Sequence, residues 1–95
     1  MRKPKLTKEQ VGVLINSIRY TGNRFPAEDR EELRKLMCRL YDVYKSMTYS
    51  KRIKLELEAS EKHWLHRTLV EWHNLLLEKK ESTGAIDQVL ITIAS

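Results

Sequence analysis

The amino-acid sequence predicts a mainly α-helical protein: a compact bundle of about four helices, arranged as two helical hairpins. Apolar residues recur every three or four positions in two long segments, 27–47 and 60–81. A third segment, 8–20, repeats this pattern directly after a capping motif. The 95 residues are enough for one modest core, so we expect a single helical domain at 7–95 preceded by a flexible basic arm at 1–6.

The first helix is predicted to run from about Lys8 to Tyr20. Thr7 and Gln10 have the spacing of a capping box, in which a hydroxyl and an amide satisfy the free N–H groups of the first turn. Gly22 is the predicted C-cap.

The second helix is predicted over about 27–47. Pro26 suits the start of a helix, and the acidic residues within 28–32 match the positive end of the helix dipole. Its apolar stripe is Leu33, Leu36, Met37, Leu40, Val43, Tyr44 and Met47. We expect both Tyr41 and Tyr44 to belong to the core.

The segment 51–59 alternates apolar and charged residues, which is typical of a half-buried strand. Leucine, lysine and glutamate also favour helix, so a backward extension of the long helix is the alternative. A strand needs a partner, either another copy of the chain or the C-terminal segment. That segment, 85–95, has β-branched residues suited to a strand, but its spacing repeats that of the second helix and favours a helix.

The third helix, 60–81, is predicted to begin after Ser60 as N-cap and to end before Gly84, which can adopt the left-handed conformation. Its broad apolar face is predicted to pack in the core. That face is Trp64, Leu65, Thr68, Leu69, Trp72, Leu75 and Leu76.

A second stripe on this helix is the candidate partner-binding surface. Its residues are His63, His66, Arg67, Val70, His73 and Leu77. A helix with one buried face would carry only polar residues there, so either the helix is covered on both sides or the stripe is an interface. The three histidines lack the spacing of a helical zinc pair and have no carboxylate in register, so we predict no metal site and no cofactor.

The net charge of +5 is concentrated in residues 1–24, which carry six basic residues and one acidic residue. These cations are the candidate nucleic-acid-binding residues, and they would contact phosphates without reading sequence. They are Arg2, Lys3, Lys5, Lys8, Arg19 and Arg24. The competing interpretation is a solvated terminus that keeps the protein in solution.

Several classes of protein are excluded by what the sequence lacks. No run approaches the roughly 20 apolar residues of a membrane span, so we predict no membrane contact. There is no glycine-rich phosphate loop and no nucleophile elbow, so we predict no enzyme activity. The single cysteine, Cys38, is predicted to be a packing residue and fits a reducing compartment, which makes the cytoplasm the expected location. The high density of predicted helices and the small number of glycines resemble those of small phage proteins. This general resemblance assigns no role to any residue.

The sequence therefore predicts a small non-catalytic protein-binding module that regulates or inhibits a partner protein through a helical face. The identity of that partner is open, and a homodimer built on the second stripe is a variant of the same hypothesis. The alternative is a nucleic-acid-binding protein that uses the basic N-terminal arm and the first helix.

Overall fold

Four α-helices and a two-stranded sheet make up residues 5–94, the part of the chain that the computed structural model describes. This architecture confirms the predicted fold class. The elements are β1 (Lys5–Leu6), α1 (Lys8–Thr21), a 3-10 turn (Gly22–Arg24), α2 (Ala27–Ser46), β2 (Ile53–Lys54), α3 (Ala59–Glu78) and α4 (Gly84–Ala94). The helices α1 and α2 form one hairpin, and α3 and α4 form the other.

Helix α1 lies at the centre of the bundle, where it packs against α2, α3 and α4. Its buried residues cover a wide arc of its circumference because neighbours lie on several sides. They are Val11, Leu14, Ile15, Ser17, Ile18 and Thr21. The helix begins with the predicted capping box: the Thr7 N–H donates to Gln10 Oε1 at 2.9 Å, and the Gln10 N–H donates to Thr7 Oγ1 at 3.2 Å. Gly22 is the C-cap, as predicted.

Small hydroxyl side chains form the contact between α1 and α3. Ser17, Thr21 and Thr68 are completely buried. Ser17 Oγ donates to the Leu14 carbonyl at 2.6 Å and lies 3.0 Å from Thr68 Oγ1. Among residues 5–94, no buried side-chain nitrogen or oxygen lacks a hydrogen-bond partner. The two helices therefore approach closely without leaving an unpaired polar group in the core.

Helix α3 begins two residues earlier than predicted, because Glu58 rather than Ser60 is the N-cap. The side chains of Glu58 and Glu61 each accept the other's backbone N–H in a capping box. Arg39, on α2, binds both carboxylate oxygens of Glu61 at 2.9 and 2.7 Å and donates to the Glu56 carbonyl at 2.8 Å. The prediction for Ser60 was wrong because this side-chain network fixes the start of the helix two residues earlier.

The end of α3 also differs from the prediction. Lys80, not Gly84, adopts the left-handed conformation, with φ at 57°. The Glu81 N–H donates to the Leu76 carbonyl at 2.8 Å, and the Lys80 N–H donates to the Leu77 carbonyl at 3.1 Å. These two bonds are those of a Schellman motif, which satisfies the last carbonyl groups of the helix. Gly84 instead opens α4.

The sheet is shorter than the predicted strand at 51–59, and its partner is a different segment. Strand β2 covers only Ile53–Lys54 and pairs antiparallel with β1, so that Leu6 lies opposite Ile53. The expected partners, a second copy or the C-terminal segment, were wrong, because the C-terminal segment forms α4 and Leu6 is fully buried against the core. Lys5 and Leu6 therefore belong to the fold rather than to the predicted arm at 1–6. Positions 1–4 lie outside the described residues.

Replacing Ser17 tests the close contact between α1 and α3. We expect Ser17→Leu to lower the free energy of unfolding by about 2–3 kcal/mol, because extra methyl groups would force the helices apart. Ser17→Ala should cost no more than about 1 kcal/mol, since Thr68 keeps the Leu65 carbonyl as an acceptor. Urea unfolding measures both values. Equal, small losses for the two variants would show that the helices are not in close contact here.

The conformation of Lys80 gives a second prediction. Lys80→Gly should raise the free energy of unfolding by about 0.5–1 kcal/mol, because glycine adopts a left-handed conformation without a steric penalty. Lys79→Gly is the matched control, since it removes the same charge at a residue whose φ is −86° and should bring no gain. Urea unfolding compares them. A higher free energy of unfolding for both variants would show that the effect comes from the lost charge and not from the backbone conformation.

The Arg39–Glu61 pair predicts a pH-dependent stability. Burial alone would raise the pKa of Glu61, but hydrogen bonds from Arg39 and the Glu58 N–H, together with the Arg39 charge, lower that pKa below its ordinary value. A carboxyl with a lowered pKa stabilises the fold above its unfolded pKa, about 4.3, and loses this contribution as the pH falls through its folded pKa. We expect Glu61→Gln, which retains an acceptor for the Glu58 N–H, to cost about 1 kcal/mol at neutral pH and progressively less below about pH 4.

Glu31→Gln is the control for this pair, because Glu31 lies 4.0 Å from Lys35 in an exposed ion pair. It should change the free energy of unfolding by less than about 0.5 kcal/mol at any pH. Urea unfolding at neutral and acidic pH gives the comparison. A loss for Glu61→Gln that does not depend on pH would contradict the assigned role of its charge.

Candidate functional site

The six predicted partner-binding residues remain accessible, although the structure does not gather them into one stripe. His63, His66 and Arg67 are exposed, and Val70 and His73 are half-buried. The sixth, Leu77, is an apolar side chain that is 55% exposed. None of the six belongs to the buried core, so this side of α3 can contact another molecule.

Two of these histidines line an open groove between α3 and α4. The groove has a volume of about 330 Å³ and is lined by Ala59, Lys62, His63, His66 and Ile93. It exists because α4 runs back along α3 and brings Ile93 beside the first turns of α3. Lys62 was readable in the sequence, since it precedes His66 by one helical turn. Ile93 was not, because no local pattern shows where α4 packs.

Arg67 turns away from this groove and packs on aromatic rings. Its guanidinium carbon lies 5.2 Å from the Phe25 ring centroid and 5.4 Å from that of Trp64. Phe25 and Trp64 meet edge to face, with ring centroids 6.0 Å apart. Beside this cluster, Arg24 Nη1 binds Glu71 Oε1 at 3.0 Å. Arg67 therefore helps to join α3 to the turn between α1 and α2.

His73 connects α3 to α4. Its Nε2 atom lies 3.0 Å from Asp87 Oδ1, and the other carboxylate oxygen of Asp87 accepts a hydrogen bond from Thr83 at 3.0 Å. This contact becomes an ion pair when the histidine is protonated. His73 therefore holds the hairpin together and does not line the groove.

The predicted nucleic-acid-binding residues separate into two groups. Lys5 and Lys8 lie at the start of α1, whereas Arg19 and Arg24 lie at its other end. Eleven residues of helix place Lys8 and Arg19 about 16 Å apart along the axis. The remaining two, Arg2 and Lys3, fall outside the described residues. Within residues 5–24, the four described cations therefore do not form one basic patch.

Lys8 instead belongs to a cluster of tyrosines that the sequence analysis did not identify. Its Nζ atom lies 4.7 Å from the ring centroids of both Tyr44 and Tyr49. Lys45 Nζ lies 4.6 Å above the Tyr41 ring, which is nearly parallel to that of Tyr44 at a centroid distance of 6.4 Å. We call these five residues the lysine–tyrosine surface. Each exposed cation–π contact contributes about 0.5–1 kcal/mol.

The prediction that Tyr41 is a core residue was wrong, whereas Tyr44 is half-buried. Tyr41 is 49% exposed, and Tyr49, which follows α2, is 68% exposed. Helix α2 packs mainly against α1, so it buries only a narrow stripe and leaves its flanking rings in solvent. Cys38, predicted to pack, is exposed for the same reason. The signal in the sequence that could have revealed this surface was three tyrosines within nine residues, with Lys45 after Tyr44 and Lys51 after Tyr49.

Hydrogen bonding of the Tyr44 hydroxyl to Tyr49, and repulsion between their charged forms, raise the pKa of Tyr44 above its ordinary value. The two oxygens are 3.4 Å apart, so the hydrogen bond is long. Both effects act in the same direction and extend the uncharged form of Tyr44 to more alkaline pH, whereas an ordinary tyrosine is already an uncharged phenol at neutral pH. The ring therefore offers a neutral aromatic face rather than a negative charge.

Four further cations lie close along the chain to residues of the lysine–tyrosine surface. Lys5 and Lys54 lie directly opposite each other in the sheet, where like charges are destabilising. Lys51 and Arg52 are exposed in the segment that leads from Tyr49 into β2. We call these four cations the basic edge. Within residues 5–94 none of them forms an ion pair with a carboxylate, in contrast to Arg24 and Arg39.

Two further features limit what these surfaces can do chemically. Among residues 5–94, no three His, Cys, Asp or Glu side chains are grouped so that they could hold a metal ion. Of the helices described here, none is both long and apolar enough to cross a bilayer. What the described surfaces offer is binding through charge, aromatic faces and a partly apolar groove.

No protein-family model, curated protein or solved structure matches the chain. No relative therefore assigns a role to any of its residues. Two surfaces of the described residues are candidates for function: the groove between α3 and α4, and the lysine–tyrosine surface with its basic edge.

Proposed function

We propose that the chain is a small non-catalytic protein-binding module, which regulates or inhibits a partner protein through the face of α3 that borders α4. The observation that supports this function is the groove, because it combines an apolar floor with basic walls. Ala59 and Ile93 supply the apolar contacts, and Lys62, His63 and His66 supply positive charge or hydrogen-bond donors. Most binding sites share this combination of apolar surface and a few polar groups.

The chemistry of the groove defines the partner. An aliphatic side chain would fit against Ala59 and the small exposed part of Ile93, and it would contribute less than the about 1.5–3 kcal/mol of complete burial because the groove is open. Carboxylates on either side of that side chain would pair with Lys62 and with protonated His63 or His66. The partner is therefore a segment in which acidic residues flank an apolar one.

A second copy of the chain fits this groove less well. In a symmetric dimer the same patch meets itself across the two-fold axis. Lys62, His63 and His66 would then face their own counterparts and repel when charged. The charge distribution consequently favours a different protein over the homodimer.

Nucleic-acid binding is the second candidate function, and the specific observation in its favour is the basic edge. Four cations with no carboxylate partner among the described residues adjoin Lys8, and two of them face each other at a cost in stability. Phosphate groups would relieve that repulsion. Of the residues predicted from the sequence, Lys5 and Lys8 carry this function.

Selection from a displayed library of random peptides tests the protein-binding function without a known partner. We expect the enriched peptides to carry Asp or Glu on both sides of an aliphatic residue. His66→Glu should weaken their binding by about tenfold or more, since it replaces an attractive charge with a repulsive one. Asn74→Glu is the matched control, because it introduces a negative charge at an exposed position of α3 about two helical turns beyond His66, outside the groove, and should leave binding unchanged.

Calorimetry with one purified peptide gives the affinity of each variant. Enrichment of peptides without acidic residues, or equal loss for His66→Glu and Asn74→Glu, would contradict the assignment of the groove. Self-association that is abolished by His66→Glu would show that the occupant is a second copy of the chain.

A further inference from the structure

We infer that the lysine–tyrosine surface and its basic edge bind single-stranded nucleic acid, with bases stacked on Tyr41 and Tyr49 and phosphates along the cations. This inference rests on nucleic-acid binding, the second candidate function, and specifies its ligand and its stacking residues. The juxtaposition that carries it is three tyrosine rings grouped beside a row of cations that lack carboxylate partners within residues 5–94.

The tyrosines have the exposure and arrangement of a stacking platform. Tyr41 presents about half of its surface to solvent, and Tyr49 presents most of its surface. The rings of Tyr41 and Tyr44 are inclined by only 18° and are held one helical turn apart on α2. Because every base has an aromatic face, such a platform accepts unpaired bases with little regard to sequence.

Bases can displace the lysine side chains that cover these rings. Lys8 and Lys45 place their ammonium groups over the tyrosine rings. A base stacked on an aromatic ring is bound more strongly than an exposed ammonium over the same ring. Because the lysine side chain is flexible, its ammonium group can move from the ring to a neighbouring phosphate. The lysine contacts therefore do not prevent bases from stacking on these rings.

The basic edge supplies the electrostatic part of the site. Lys5 and Lys54 are held opposite each other by the sheet, and Lys51 and Arg52 continue the row towards Tyr49. Phosphates bound along this row would release counterions and offset the repulsion between the paired lysines. Cations and rings are therefore adjacent, as a strand with alternating phosphates and unstacked bases requires.

The rings distinguish a single strand from other polyanions. In a duplex the base faces are stacked inside and cannot reach the tyrosines, so only phosphate contacts remain. A sulfated polysaccharide would likewise use the cations but not the rings. Preference for single strands, together with dependence on tyrosine, is therefore the signature of this site.

Fluorescence anisotropy with the full chain tests the inference, using a labelled oligothymidine of about 12 nucleotides and a duplex with the same number of phosphates. We expect the single strand to bind at least about tenfold more tightly than the duplex. Tyr49→Leu should weaken single-strand binding by about 5- to 100-fold and leave duplex binding unchanged. Lys54→Gln should weaken both ligands and lower the slope of affinity against salt by about one.

Tyr20→Leu is the matched control for the ring, because Tyr20 is also an exposed tyrosine, 60% accessible, but lies against Trp72. It should leave the affinity for oligothymidine unchanged. Circular dichroism and thermal unfolding of each variant verify that the fold is retained. If Tyr49→Leu does not fold, Tyr41→Leu measures the same contribution from a second ring.

The remaining outcomes distinguish failure of single-strand binding from failure of nucleic-acid binding in general. Equal binding of strand and duplex, with no effect of Tyr49→Leu or Tyr41→Leu, would overturn this inference and leave nucleic-acid binding through phosphates alone. Dextran sulfate that competes as well as oligothymidine at equal charge would overturn it in favour of a general polyanion surface. No binding of either oligonucleotide at about 50 mM salt would overturn both the inference and the second candidate function.

Discussion

The close contact between α1 and α3 at Ser17 and Thr68 is the interaction on which the rest of the bundle depends. The two hydroxyl groups there have two protons for three contacts. Ser17 donates its proton to the Leu14 carbonyl at 2.6 Å. The Thr68 proton is therefore shared between Ser17 Oγ at 3.0 Å and the Leu65 carbonyl at 3.1 Å. Buried hydroxyls with these partners cost little, and their small size lets two helical backbones approach. With α3 held on one side, α1 is left to bury its remaining faces against α2 and α4.

The position of α1 explains where the two candidate surfaces lie. Helix α2 contacts mainly α1, so the tyrosines beside its buried stripe stay in solvent. The segment after α2 leads into β2, which pairs with β1 next to the start of α1. Helix α3 packs against both α1 and α4, and the edge that it shares with α4 is left open as the groove. Each surface belongs to a different helical hairpin, and the same buried core supports both. The two proposed binding functions would therefore use different residues and would not compete.

Local patterns in the sequence predicted the structural features that depend on neighbouring residues. They failed for features that are determined by residues distant in the sequence. Helical spacing gave the four helices to within a few residues, and the Thr7 capping box is present because it needs only its own turn. Ser60 was favoured as N-cap by propensity, but a guanidinium from α2 fixed the helix start at Glu58. Part of the groove was found, since His66 lies on a recognisable stripe, whereas Ile93 depends on how α4 packs. The tyrosines were missed because periodicity places Tyr41 near an apolar stripe but does not reveal that no helix covers it.

The central claim is that one helical core presents two separate binding surfaces. Chemical-shift mapping by nuclear magnetic resonance tests it most directly, with oligothymidine and an acidic–apolar peptide added one at a time to the labelled chain. The account predicts that oligothymidine shifts the amides around Tyr41 and those of 49–54, that the peptide shifts those of 59–66 and the end of α4, and that neither ligand displaces the other. Shifts from both ligands in the same residues, or competition between them, would contradict the claim.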